Sequence, residues 1–161
     1  MAIEDYAVER VVLGILDGGM SGRLFAEVRE RQGLVYWVGA WHEHPRAGGM
    51  IHLGASTTPH RSEQVRRAML REVDRLVEGI DDDELSRAIV GIVAREQTVG
   101  DGLPARASEL GDDLLYHGRP VDAGVKVDRV RGVTVERIRD YLSRYPRDPV
   151  ALVSVGPDRG A

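Results

Sequence analysis

Apolar residues return at helical spacing at the start of the chain. Val8, Val11, Val12, Ile15 and Leu16 share one face, with Glu4, Asp5, Glu9 and Arg10 elsewhere. This predicts a helix over 3–16, which Asp17-Gly18-Gly19 ends because glycine takes the left-handed conformation at little steric cost. Ser21 then offers a cap to a short helix whose stripe is Leu24, Phe25 and Val28, broken at Gly33. The pattern next switches to Val-, Tyr- and Trp-rich runs. Leu34–His44 and Met50–Thr57 read as two strands joined by the turn Pro45–Gly49, a hairpin.

Helical spacing resumes after Thr57-Thr58-Pro59, a cap followed by proline at the first helical position. Val65, Met69, Val73, Leu76 and Val77 form the stripe up to Gly79. Asp81-x-x-Glu84 is a capping-box pattern that opens a helix with Leu85, Ala88, Ile89, Ile92 and Val93 inward. Gly100-Asp101-Gly102 interrupts. A further helix is expected to bury Leu103, Ala107, Leu110 and Leu114, and ends at Gly118-Arg119-Pro120. A short helical or irregular stretch covers 122–130. Thr134 caps a last helix carrying Val135, Ile138, Tyr141 and Leu142. The apolar run 149–156 reads as a final strand buried on both faces. The order predicts an α+β fold, an antiparallel or mixed sheet layered with helices.

Bulk properties narrow the class. The 161 residues suffice for one domain, 1–161, with its own core. A net charge of −4 argues against nucleic-acid or anionic-membrane partners. The absence of cysteine removes disulfides and thiolate metal sites. No basic segment followed by an apolar core opens the chain, so a cytoplasmic location is expected, with the periplasm left open.

The stretch Gly-Gly-Met-Ser-Gly-Arg-Leu-Phe-Ala-Glu-Val-Arg-Glu-Arg-Gln-Gly-Leu-Val-Tyr, 18–36, resembles a signature in the second half of pitrilysin/insulinase-type zinc metallopeptidase domains. The mitochondrial processing peptidase and the core subunits of the respiratory bc complex belong to the same family. The resemblance continues in order through Thr57-Thr58-Pro59-His60, the run 79–88, the run 107–120, the run 133–142 and the run 149–157. It implies the C-terminal, non-catalytic half of a domain of the LuxS/processing-peptidase-like metallohydrolase type. Such halves begin with a strand before the first helix, so that strand is expected to be missing here, as in a fragment of a longer protein. A sheet edge left unpaired would recruit another chain. Homo- or heterodimer contacts, or a swapped strand, are therefore expected.

The family holds zinc with an inverted His-x-x-Glu-His motif on a helix of the catalytic half. The histidines here are His42, His44, His52, His60 and His117, and none makes that spacing. This chain is expected to bind no catalytic zinc and to be inactive alone; the zinc belongs to a partner half. His42 and His44 share a strand face and could meet His52 across the hairpin, but a water-facing strand end beside Pro45 is the simpler reading.

The resemblance implies a different contribution. In two-part peptidases of this family an Arg-x6-Tyr pair faces the zinc from the opposite half, and Arg29 and Tyr36 fit that spacing. Arg supplies a permanent charge with a fork of donors, Tyr one directional hydroxyl, and both suit a developing oxyanion. Taken alone, and because both residue types are common, Arg29 reads first as a solvated helix residue and Tyr36 as a core aromatic on the strand. Gly18 and Gly19 stand where the non-catalytic subunit of the processing peptidase carries a glycine-rich substrate loop; here they read mainly as a helix stop. Arg23 and Glu27 read as helix-surface residues, 81–84 as acids favoured at a helix start, and Trp37 and Trp41 as packing or interface residues. The expected role is to close over a zinc-bearing half and enclose an unfolded peptide held extended at a sheet edge. The alternative is an inert scaffold like the bc-complex core proteins.

Overall fold

The structure, a computed structural model, describes residues 3–43, 49–99, 102–145, 148 and 150–157. Its central element is helix α1 (Ile3–Leu16). Ala7, Val8, Val11, Val12, Ile15 and Leu16 are all buried, so the stripe read from the sequence is the spine of the core. A hairpin of β1 (Trp37–Glu43) and β2 (Met50–Ser56) lies against it, antiparallel with Gly39 opposite Gly54. Five helices follow: α2 (Ser62–Glu78), α3 (Asp82–Val99), α4 (Leu103–His117), α5 (Ala123–Arg131) and α6 (Val135–Arg144). Helix α1 packs against α2, α3, α5, α6 and β1, giving an α+β layer. Ile138 and Tyr141 of α6 complete the core, and Tyr141 Oη donates to the buried Glu9 carboxylate at 2.8 Å.

Local chemistry explains most boundaries. Asp81 and Glu84 form the reciprocal capping box: Glu84 N–H donates to Asp81 Oδ1 at 2.7 Å, and Asp81 N–H to Glu84 Oε2 at 3.3 Å. Asp122 caps α5 through the N–H groups of Gly124 and Val125, and Thr134 caps α6 through that of Arg137.

Other expectations need correction. Ser21 does not cap the second helix; the 3₁₀ turn Gly19–Ser21 aims its hydroxyl back at the Gly18 carbonyl, 3.0 Å away. The short helix itself is present, in π-helical form over Phe25–Arg31. Neither threonine caps α2: Thr57 Oγ1 donates to the Leu34 carbonyl at 2.7 Å, and a 3₁₀ turn Pro59–Arg61 leads into the helix. The first strand begins at Trp37, because 34–36 is spent tying the π-helix to β2. The hairpin turn falls largely on 44–48, and the Gly100-Asp101 break on 100 and 101, all outside the described residues.

Two larger corrections concern apolar runs that stay uncovered. Helix α4 does not bury its stripe: Leu103 is 84% exposed, and Ala107, Leu110 and Leu114 also face water. Spacing shows which side of a helix is apolar, not that something packs there. Residues 150–157 form no strand, and Val150, Leu152, Val153 and Val155 are exposed. Among the described residues the sheet is two-stranded, so this run has no ladder to join. Val77, expected inward on α2, is exposed as well.

Candidate functional site

Three tight connections place the motif residues. Helix α1 stops when Asp17 N–H donates to the Leu13 carbonyl at 2.7 Å. A side chain at Gly18 would put its Cβ 2.4 Å from the Gly14 carbonyl oxygen, so the turn closes only around glycine. Gly19 follows with φ +65° and open space around it. Asp17 Oδ2 then accepts the Ala40 N–H at 3.1 Å, fastening this turn to the edge of β1.

Arg23 is a second anchor. Its side chain is buried and grips the Glu84 carboxylate through Nε and Nη2, each 2.7 Å away, while Nη2 also donates to the Gly79 carbonyl at 2.8 Å. Those bonds hold the Glu84 carboxyl below the usual carboxylate range and raise the Arg23 guanidinium. The surface role expected for Arg23 is therefore corrected: it ties the motif to the start of α3. Glu27 stays local, accepting from Arg31 and from Gln32 Nε2.

Gly33 forms the third connection, with φ +59°. Its N–H donates to the Arg29 carbonyl, and the Leu34 N–H to the Val28 carbonyl. Arg61 Nη1 donates to the Gly33 carbonyl at 2.9 Å, and the Tyr36 N–H to the Ser56 carbonyl at 3.2 Å. The π-helix end, the strand entry and the β2–α2 junction are thus one fixed unit.

On that unit Arg29 and Tyr36 come together. The Arg29 guanidinium carbon lies 5.8 Å from the Tyr36 ring centroid and 4.9 Å from that of Phe25. Arg29 is partly exposed, with Glu30 at 4.0 Å as an open ion pair. Tyr36 is 84% exposed, so its hydroxyl faces water. The pair presents a fixed charge and a phenol on one accessible surface, a donor set that could serve a carbonyl oxygen gaining negative charge. Phe25 escaped sequence reasoning as part of this arrangement. Its signal was the i, i+4 spacing to Arg29, which stacks two side chains on one helix face.

The histidines do not converge. Strand alternation puts His42 and His52 on opposite faces: His42 Nδ1 lies 3.4 Å from Glu9 Oε1, while His52 stacks on Trp41 at 5.4 Å and 9°. His44 falls outside the described residues. Among the described residues no group of three or more His, Asp or Glu could hold a metal ion. Trp37 and Trp41 lie half-exposed on the outward face of the hairpin rather than in the core. No helix among the described residues is long and apolar enough to cross a membrane.

The fold is an α+β half-domain of the kind seen in solved inactive peptidase domains. The profile described as the peptidase M16 inactive domain matches residues 2–91, and the chain belongs to the peptidase M16 family as its inactive C-terminal domain. It is 31% identical over 158 residues to an uncharacterized zinc protease of Streptomyces coelicolor, covering 92% of this chain and 33% of that one. Among solved structures it resembles the peptidase M16 inactive domain from Pseudomonas fluorescens, with a TM-score of 0.74, 22% identity, and 87% and 34% of the two chains covered. It also resembles a protease from Helicobacter pylori, with a TM-score of 0.76, 14% identity, and 89% and 35% covered. The chain spans about a third of the length of the curated relatives it matches.

Proposed function

We propose that this domain is the non-zinc-binding half of a zinc metalloendopeptidase, closing over a metal-bearing half to enclose an extended peptide. The observation that carries this reading is the convergence of Arg29 and Tyr36, 5.8 Å apart on an accessible surface fixed by Gly33 and Phe25. Zinc, in this reading, is held by the partner half. The work of the present residues is electrostatic. Arg29 and the Tyr36 hydroxyl donate to the carbonyl oxygen of the scissile peptide as it gains charge, a contribution that grows toward the transition state. Gly18 and Gly19 border the same motif, and the open space at Gly19 leaves backbone accessible to a passing peptide.

Relatives named as zinc proteases support the peptidase reading over an inert scaffold. A peptidase assay on the protein combined with its metal-bearing half tests it. Arg29→Ala and Tyr36→Phe should each lower kcat by about 10²–10³, the usual effect of deleting one oxyanion donor. Unchanged turnover in both variants would remove the pair from the mechanism, and no turnover by the assembled wild-type protein would favour the inert scaffold.

A further inference from the structure

The outward face of the hairpin is built from aromatic rings laid over glycines. Strand alternation puts Trp37, Gly39, Trp41 and Glu43 of β1 on that face, opposite Ser56, Gly54, His52 and Met50 of β2. Neither glycine has a positive φ, so neither serves a turn. Glycine inside a strand weakens it and marks a place where another group must come close. Here that group is indole. A Cβ at Gly54 would lie 2.9 Å from Trp41 Cη2 and 3.0 Å from Trp37 Cζ3, and one at Gly39 would lie 3.1 Å from Trp37 Cζ2. Both indoles therefore lean diagonally over Gly54 and sit low on the sheet. Their centroids are 6.2 Å apart, and His52 stacks on Trp41 at 5.4 Å and 9°. The row of rings stays open to water: Trp37 is 47% and Trp41 42% exposed.

Two features decide what fits there. The first is charge. Glu43 stands at one end, its carboxylate mostly exposed and 3.4 Å from His52 Nε2. Asp17, exposed at the β1 edge, brings Oδ2 to 3.2 Å from the Cβ position over Gly39. The strand positions of this face carry no Arg or Lys. Carboxylates beside indole rings favour a cation and repel phosphate. The second feature is backbone. Ladder N–H and C=O groups lie in the plane of a sheet, so its face offers none to a ligand. A β-extended segment laid on that face would lose water from its own amides without replacement. A polyproline II segment keeps its backbone solvated, and proline has no N–H to satisfy.

We propose that the face formed by Trp37, Trp41 and His52 binds a polyproline II segment of another polypeptide, prolines flanked by arginine. The proline rings pack on the two indoles, and the guanidinium groups lie beside Glu43 and Asp17. A second copy of this chain fits poorly, because two such faces brought together would oppose like carboxylates. The proposal does not rest on Arg29 and Tyr36, and its test needs neither turnover nor the metal-bearing half, so the two readings fail independently.

Trp37 and Trp41 are the two tryptophans of the chain, so indole fluorescence reports on this face alone. The probe is acetyl-Arg-Pro-Pro-Pro-Pro-Arg-amide, titrated into the whole chain at low salt. Emission should change saturably. The analogue with alanine in place of every proline should bind about tenfold more weakly. Trp41→Ala should weaken the probe by a similar factor, with Trp37 as the remaining reporter and an unchanged Tm showing that the variant folds. Glu43→Gln should weaken the probe about two- to fivefold and leave its glutamine-flanked analogue unaffected. The proposal is overturned by no saturable change at high probe, by equal affinity for the alanine analogue, or by wild-type affinity in Trp41→Ala. Glu43→Gln that binds both peptides as wild type does, or a dimer of the free chain that already shields both indoles from acrylamide, would overturn it as well.

Discussion

The Arg23 guanidinium holds both oxygens of Glu84 at 2.7 Å, joining the turn before the π-helix to the first turn of α3. Glu84 thereby serves two masters, the capping box of its own helix and a buried cation 61 residues earlier. Glu84→Gln separates the two, because glutamine preserves the box and loses the charge. The variant should lose about 1–3 kcal/mol in urea denaturation, the cost of leaving buried Arg23 short of a charged acceptor. It should also lose part of the acid limb. Arg23 lowers the folded-state value of Glu84 from 4.5, so its contribution is complete above that pH and fades as pH falls through the lowered value. An acid titration of wild type against Glu84→Gln checks this; parallel curves would contradict it.

Phe25 sits beneath the Arg29 guanidinium, 4.9 Å from ring to carbon. Phe25→Leu keeps the apolar volume and removes the ring. A cation–π contact of about 0.5–1 kcal/mol then predicts a two- to fivefold fall in kcat in the assembled protein, roughly, with little change in Tm. A fall in Tm with kcat intact would show that the ring only fills space.

Gly33 takes φ +59° between the π-helix and the strand entry, and no heavy atom crowds the Cβ position. Gly33→Ala therefore tests backbone conformation alone. The expected loss is about 1–2 kcal/mol by denaturant unfolding. Displacement of Tyr36 should lower activity further than stability accounts for.

Tyr141 and Glu9 couple α6 to α1 through a buried 2.8 Å bond. Burial first, and then the Glu9 charge, push the phenol far above its ordinary value of 10.0. A raised folded-state value means the stabilisation is complete below pH 10 and is lost as pH climbs beyond it. Tyr6, pushed upward by burial, adds to the same limb. Tyr141→Phe should cost about 1 kcal/mol at neutral pH and make the alkaline limb shallower; an unaltered alkaline slope would contradict the assignment.

How much of this was legible beforehand depended on whether the signal was local. The α1 stripe, the capping box at Asp81 and Glu84, and the Thr134 cap are set by neighbours within a few residues, and each appears as the sequence indicates. The family resemblance, not the residues alone, implied Arg29 and Tyr36, and the fold sets them side by side because Gly33 turns the chain back between them. What sequence could not reveal was partnership at a distance. Nothing near Arg23 marks it as the ligand of Glu84, and nothing near Thr57 says that its hydroxyl serves Leu34 instead of a helix cap. The α4 stripe and the run 150–155 read as buried because apolar sequence usually is; both await cover that no described residue provides.

The central claim is that Arg29 and Tyr36 act on one oxygen, and a double-mutant cycle measures that directly. With Arg29→Ala, Tyr36→Phe and the double variant combined with the metal-bearing half, kcat is compared on one peptide substrate. Each single change should cost about 10²–10³, and the double distinctly less than their product, because donors to a shared oxygen are coupled. Single variants with wild-type kcat, or losses that multiply without coupling, would contradict the account.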